Sequence, residues 1–160
     1  MRVKEVGMIT ALLTLATPLL AHEPAKNAGD ANRVSTSARE AEKAVDAFHA
    51  ALKRGDAQAA AALMTEDALI FESGGVERSK AEYAAQHLPA DASFSRQISS
   101  MVSRRAGNAN GTLAWIATEG RATGTYNGKA LDLFTTETIV LRRTSSGWKI
   151  AHIHWSSAKR

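Results

Sequence analysis

The side chains with the most chemistry to offer lie near the C-terminus, in Trp148-Lys149-Ile150-Ala151-His152-Ile153-His154-Trp155-Ser156-Ser157. Read with the period of two that a strand imposes, Trp148, Ile150, His152, His154 and Ser156 share one face, and Lys149, Ala151, Ile153, Trp155 and Ser157 share the other. The two imidazoles then stand roughly 7 Å apart, close enough to act on one small ligand. Upstream, the odd positions Leu131, Leu133, Thr135, Glu137, Ile139 and Leu141 form an apolar face with one carboxylate in it. Leu113, Trp115, Ala117, Glu119 and Arg121 repeat the pattern. An ionised glutamate among apolar neighbours costs on the order of several kcal/mol unless donors or a cation meet it. His152 and His154 are the natural partners for Glu137. A carboxylate fixes the tautomer of an imidazole and raises its pKa, which is the pairing that general acid/base work needs.

The expected site therefore has Glu137, His152 and His154 as its catalytic groups. Trp115, Tyr126 and Phe71 are its apolar walls, and Glu119, Glu72 and His87 are further ligand contacts. A competing arrangement is a metal held by the His-x-His pair with Glu137, Glu119 or His87 as third ligand. No third ligand lies close in sequence, so no metal and no cofactor is assigned. Two plainer alternatives stay open. Glu137 and the histidines can simply satisfy one another in a packed interior, or the sheet can present Ile153, Trp155, Phe134, Val140 and Ile116 as an interface between two copies. His49 and His87 fall on helical segments and read as surface or packing residues.

The elements that must position these groups follow from periodicity. Ser37-Ala38-Arg39-Glu40 matches a capping box, and Ala41, Ala44, Val45, Phe48, Ala51 and Leu52 recur at helical spacing until Gly55. Asp56 caps a second helix through Met64, and Ser79-Lys80-Ala81-Glu82 opens a third that ends just before Pro89. A short strand over 68–72 turns at Gly74-Gly75. Four long strands follow, at about 93–105, 112–125, 130–143 and 147–157, and Asn127-Gly128 is the strongest hairpin signal. Helices first and a meander after predict an α+β plan.

The 160 residues carry 44% hydrophobic residues, ample for one core, and no cysteine, so disulfides are excluded. Arg2 and Lys4 precede an apolar run from Val6 to Leu20 that is short for a bilayer span of roughly 20 residues. The expected organisation is a signal peptide over 1–21, a flexible linker over 22–35 and one domain over 36–160. The expected location is the periplasm or the exterior. Cleavage after Ala21 would leave His22 as an N-terminal chelator of copper(II), or merely as a polar residue after the cleavage site. The net charge of +4 is mild, and Arg104-Arg105, Arg142-Arg143 and Lys159-Arg160 supply much of it as a rim at strand ends. Neither a nucleic-acid partner nor, once the leader is removed, a membrane partner is expected.

The ordered set Phe48-His49-Ala50-Ala51-Leu52-Lys53-Arg54-Gly55-Asp56, Asp67-Ala68, Glu72-Ser73-Gly74-Gly75, Thr123-Gly124-Thr125-Tyr126, Thr136-Glu137-Thr138 and Trp148 to His154 resembles the nuclear-transport-factor-two-like superfamily, in its SnoaL-like bacterial branch. The ending also resembles the association domain of calcium/calmodulin-dependent protein kinase II. The resemblance spans about Thr36 to Ser157. It implies a cone: a strongly curved, mostly antiparallel sheet wrapped around three N-terminal helices, with a pocket at the open end and often a homodimer through the outer face. Members range from isomerases, dehydratases and cyclases to assembly hubs, so the resemblance implies a small organic ligand without naming it. The Tyr and paired Asp of ketosteroid isomerase have no counterpart that can be placed residue by residue in this sequence.

Overall fold

The computed structural model describes residues 33–160; the expected signal peptide and the linker up to residue 32 lie outside them. After a 3-10 turn at Thr36–Ala38 come α1 (Arg39–Arg54), α2 (Ala57–Ala62), β1 (Met64–Glu72), β2 (Gly75–Glu77), α3 (Lys80–Gln86), α4 (Leu88–Gln97), β3 (Ile98–Asn110), β4 (Leu113–Tyr126), β5 (Lys129–Thr144) and β6 (Gly147–Lys159). The strands form one curved, unclosed sheet in the order β2-β1-β6-β5-β4-β3. Every pairing is antiparallel except β1 with β6. The α+β cone expected from the sequence is the architecture observed.

The helical stripe of α1 behaves as its spacing requires. Ala41, Val45, Phe48, Ala51 and Leu52 are buried in one core with Ile70, Ile116, Ile139 and Ile153 of the sheet. Gly55 ends α1 at φ 76°, where a side chain is disfavoured, and the Asp56 carboxylate accepts from Ala59 N at 2.9 Å to start α2. Asn127 and Gly128 both take positive φ, 50° and 74°, as a type I′ hairpin needs.

Three local expectations are corrected. Ser37 does not cap α1; its hydroxyl donates instead to Ala109 O at 3.1 Å and to Asn108 Oδ1 at 3.2 Å. Pro89 does not follow the last helix but sits in the first turn of α4, where its missing N–H leaves no helical bond unmade, so residues 93–97 are helical rather than extended. Gly107-Asn108 is not a break between strands. A Cβ at Gly107 would meet Trp115 O at 2.8 Å, and its own carbonyl accepts from Ser35 N at 2.9 Å, so the glycine lets two backbones close on β3.

Two β-bulges decide which side chains face the helices. On β6, Ile150 pairs with Leu141 but His152 pairs with Val140, leaving Ala151 as the extra residue. On β3, Val102 pairs with Gly120 but Arg104 pairs with Glu119, leaving Ser103 as the extra residue. Each insertion reverses the alternation beyond it. Inward-facing residues then line up in rows across the sheet. One row, Ile70, Ile153, Ile139 and Ile116, has at most 1% exposure and forms the apolar floor under α1.

Candidate functional site

The next inward row is polar from end to end: Glu72 pairs with Trp155, Trp155 with Glu137, Glu137 with Thr118, and Thr118 with Arg105. The row beyond it is small, with Gly120 opposite Thr135 and Thr135 opposite Ser157. Small side chains there leave a hollow of about 230 Å³ between sheet and helices, lined by all five residues of the polar row together with His49, Asp91 and Leu52. Its volume suits a ligand smaller than a drug-sized compound.

Glu137 is the chemical centre of this hollow. It is 8% exposed, and its Oε2 accepts from Trp155 Nε1 at 2.7 Å. His49, one turn before the end of the buried α1 stripe, brings Nε2 to 2.9 Å of the same oxygen, although the approach is not aligned as a hydrogen bond. The other oxygen, Oε1, is buried and has no hydrogen-bond partner among the described residues. The indole is itself fixed, stacked on Phe48 at 6.4 Å and tilted against Tyr83 at 6.3 Å.

A second acid faces the hollow from α4. Tyr83, fully buried on α3, donates its O–H to Asp91 Oδ2 at 2.6 Å. Burial raises the Asp91 carboxyl above the usual carboxylate range, with the Tyr83 hydrogen bond and the charge of His87 partly opposing. Burial, then the nearby Asp91 charge, pushes the Tyr83 phenol upward as well. Glu72 at the mouth is raised first by desolvation and then by Asp91. The hollow thus pairs a buried glutamate holding an unsatisfied oxygen with a second carboxyl whose pKa burial raises.

Of the residues expected from sequence, Glu137 and Glu72 line the hollow. His152 and His154 do not. The Ala151 bulge turns them to the outer face, where His154 pairs with Thr138 and His152 with Val140, and where the Phe71 ring lies 5.1 Å from one and 6.1 Å from the other. The His152 ring Nδ1 is 2.8 Å from Leu69 O, which makes it the donor to that carbonyl. Phe71 is therefore an outer-face residue rather than a wall. Trp115 and Glu119 are also outside: Trp115 is 43% exposed, and Glu119 lies 3.5 Å from Arg104. Tyr126 touches the site only through Phe94, edge to face at 5.2 Å. His87 is half-exposed and contacts the buried Glu77 through Nδ1. Ile153, Trp155 and Ile116, expected on an interface, point into the core or hollow instead. Among the described residues no three His, Asp or Glu side chains are placed to hold a metal, and Glu137 lies on the opposite face from His152 and His154.

Sequence reading missed His49, Asp91, Tyr83, Thr118 and Arg105. The signal for His49 was available, since it follows the buried Phe48 and so borders the apolar face of α1. Arg105, expected on the rim, is mid-strand with its side chain 15% exposed, because the Ser103 bulge reverses an alternation that its own strand does not announce.

A family profile described as a SnoaL-like domain matches residues 41–159. A provisionally assigned ketosteroid isomerase from Shewanella frigidimarina is 34% identical, with 76% of this chain and 98% of that one covered at a TM-score of 0.71. A provisionally assigned dehydratase of the NTF2-like family from Streptomyces avermitilis is 19% identical over 77% of this chain and 97% of that one, at a TM-score of 0.66. A provisionally assigned calcium/calmodulin-dependent protein kinase II association domain from Xanthomonas campestris is 23% identical over 78% and 89%, also at 0.66. The last two show the fold alone. No curated protein gives a significant match.

Proposed function

Because the chain belongs to the SnoaL-like domain family, with the nuclear-transport-factor-2-like fold, we propose that it binds a small organic molecule in the hollow and moves a proton on it, in a lyase- or isomerase-type reaction. The observation that carries this reading is Glu137: a carboxylate 8% exposed, anchored through one oxygen and left with the other unpartnered among the described residues. An orphaned buried acceptor costs about 1–3 kcal/mol, which a ligand donor or an acidic ligand proton would recover. Glu137 is the base or acceptor, held by the Trp155 N–H with His49 beside it, and Asp91, whose proton affinity burial raises, faces the ligand as the second acid of the site. The isomerase assignment of the Shewanella protein supports this class of chemistry.

The test is a panel of small carbonyl and hydroxy compounds, followed for deuterium uptake at carbon in D2O. The native chain is expected to exchange at least one of them, and Glu137→Gln to abolish exchange while remaining folded. Equal exchange by the variant refutes the assignment of the base.

A second copy of the chain is the proposed partner of the outer sheet face. Trp115 and Phe134, 43% and 53% exposed, sit on that helix-free side with His152 and His154. Light scattering across a concentration series is expected to give a dimer that Phe134→Glu dissociates; a native monomer refutes it. Export is proposed from the leader-like sequence at 1–21, and secretion of a fusion carrying those residues would test it.

A further inference from the structure

Resting on the reading of the hollow as a ligand site, we propose that its ligand is a small organic monocarboxylate, held through its carboxylate by Arg105 and Thr118 at the β3 end of the polar row. Arg105 is the single lysine or arginine lining the hollow among the described residues. Two of its three nitrogens are committed: Nε donates to Thr118 Oγ1 at 3.1 Å, and Nη1 donates to Asp46 Oδ1 at 2.6 Å. Those bonds lock a long side chain against the sheet and leave Nη2 with no hydrogen bond among the described residues. The Thr118 hydroxyl accepts from Nε, so its own proton is free to be donated. A guanidinium nitrogen and an adjacent hydroxyl proton form a two-donor set that matches the two oxygens of a carboxylate.

The spacing agrees with the chemistry assigned to Glu137. Thr118 lies directly between Arg105 and Glu137 in the row, so the two charged residues are about two strand spacings apart, ~10 Å between backbones. A carboxylate seated on Arg105 and Thr118 therefore directs the carbons next to it toward Glu137. Charge sets the limit on the ligand. Asp46, and more distantly Glu42 at 3.9 Å, offset part of the guanidinium charge, and Glu137 would repel a second negative charge. A monoanion fits this balance and a phosphate dianion does not.

The test uses benzoate and benzamide, matched in shape and different in charge, with the Trp155 indole N–H resonance as reporter because that group bonds Glu137 inside the hollow. Both compounds are expected to shift the resonance, benzoate at the lower concentration. Arg105→Gln and the isosteric Thr118→Val are each expected to weaken benzoate by about 10-fold or more, the worth of a charge-assisted hydrogen bond, while leaving benzamide nearly unchanged. Asp46→Asn, which keeps the acceptor and removes the offsetting charge, is expected to tighten benzoate. Equal affinities for the two compounds, or equal losses for both in Thr118→Val, overturn the anion anchor and leave the hollow as a neutral-ligand site. Silence of the Trp155 resonance toward both compounds overturns the anchor and the ligand reading together.

Discussion

Replacing Trp155 by phenylalanine isolates the bond that holds Glu137. A phenyl ring retains the stack on Phe48 at 6.4 Å and the contact with Tyr83 at 6.3 Å, and deletes the one donor aligned on the carboxylate among the described residues, at 2.7 Å. The remaining neighbour, His49 Nε2 at 2.9 Å, is not aligned as a hydrogen bond, so both carboxylate oxygens are left wanting. A charge-assisted bond to a buried group is worth about 1.5–3 kcal/mol, and the smaller ring adds about 1 kcal/mol, so a loss of about 3 kcal/mol is expected. Glu137→Leu alone strands the indole N–H and costs about 1–3 kcal/mol. With both changes neither group is left unsatisfied, so the double variant is expected to be about 2 kcal/mol more stable than the sum of the singles implies. Equilibrium urea unfolding of the four proteins, with m-values compared to confirm a common transition, measures that coupling. Additivity within about 0.5 kcal/mol would refute the claim that the indole satisfies a buried carboxylate.

Asp91→Asn tests the second acid. The folded chain holds the Asp91 proton above the pH, about 4, at which the unfolded chain releases it, so native stability falls as pH rises from there through the raised pKa, by up to about 1.4 kcal/mol per unit. Asparagine still accepts from Tyr83, and unfolding of the variant is expected to show a flatter profile above pH 4, with Glu72 supplying the residual slope; parallel profiles refute the shift. Gly120→Ala puts a Cβ 2.7 Å from Met101 O and 3.2 Å from Thr135 Oγ1, so a fall of about 1–3 kcal/mol with weaker ligand binding is expected from melting and titration, and an unchanged melting temperature refutes it. His152→Ala removes the 2.8 Å bond to Leu69 O and the edge contact with Phe71 at 5.1 Å, both on the outer face, costing about 1–2 kcal/mol and leaving the Trp155 indole resonance in place; a displaced resonance would return His152 to the hollow.

The fold was legible because its determinants are local. The stripe from Ala41 to Leu52, the cap at Asp56 and the Asn127-Gly128 turn each act within a few residues, and β5 keeps an unbroken alternation that places Glu137 inward as its spacing implies. Pro89 is ambiguous by itself because a proline fits both after a helix and in its first turn, and only the packing of Leu88 and Ala92 in the core decides for α4. The site was only half legible because its assembly is non-local. Arg105, Thr118, Glu137, Trp155 and Glu72 come from five strands, and periodicity within one strand carries no information about what stands across from it.

Alternation failed most where it mattered most, and the reason is physical. On β6 an unbroken period of two would put Trp148, Ile150, His152 and His154 on one side, whereas burying Trp148, Ile150 and Ile153 together needs one extra residue between the last two. The apolar floor wins that contest. An isoleucine moved from core to water forfeits about 1.5–3 kcal/mol, whereas a bulge leaves one residue unpaired in the ladder, and the small Ala151 is the residue left out. The same step brings Trp155 across from Glu137 and expels both histidines. On β3 the Ser103 bulge makes Arg105 rather than Arg104 face Thr118, with the Ser103 hydroxyl donating to Glu119 O at 3.0 Å. Because Ala151 is the extra residue, deleting it leaves Ile150, Ile153 and Trp155 inward and His152 opposite Val140 in an unbroken ladder, so that deletion is expected to keep the fold and the Trp155 indole resonance, and a displaced resonance would refute the bulge as the device that accommodates the apolar floor.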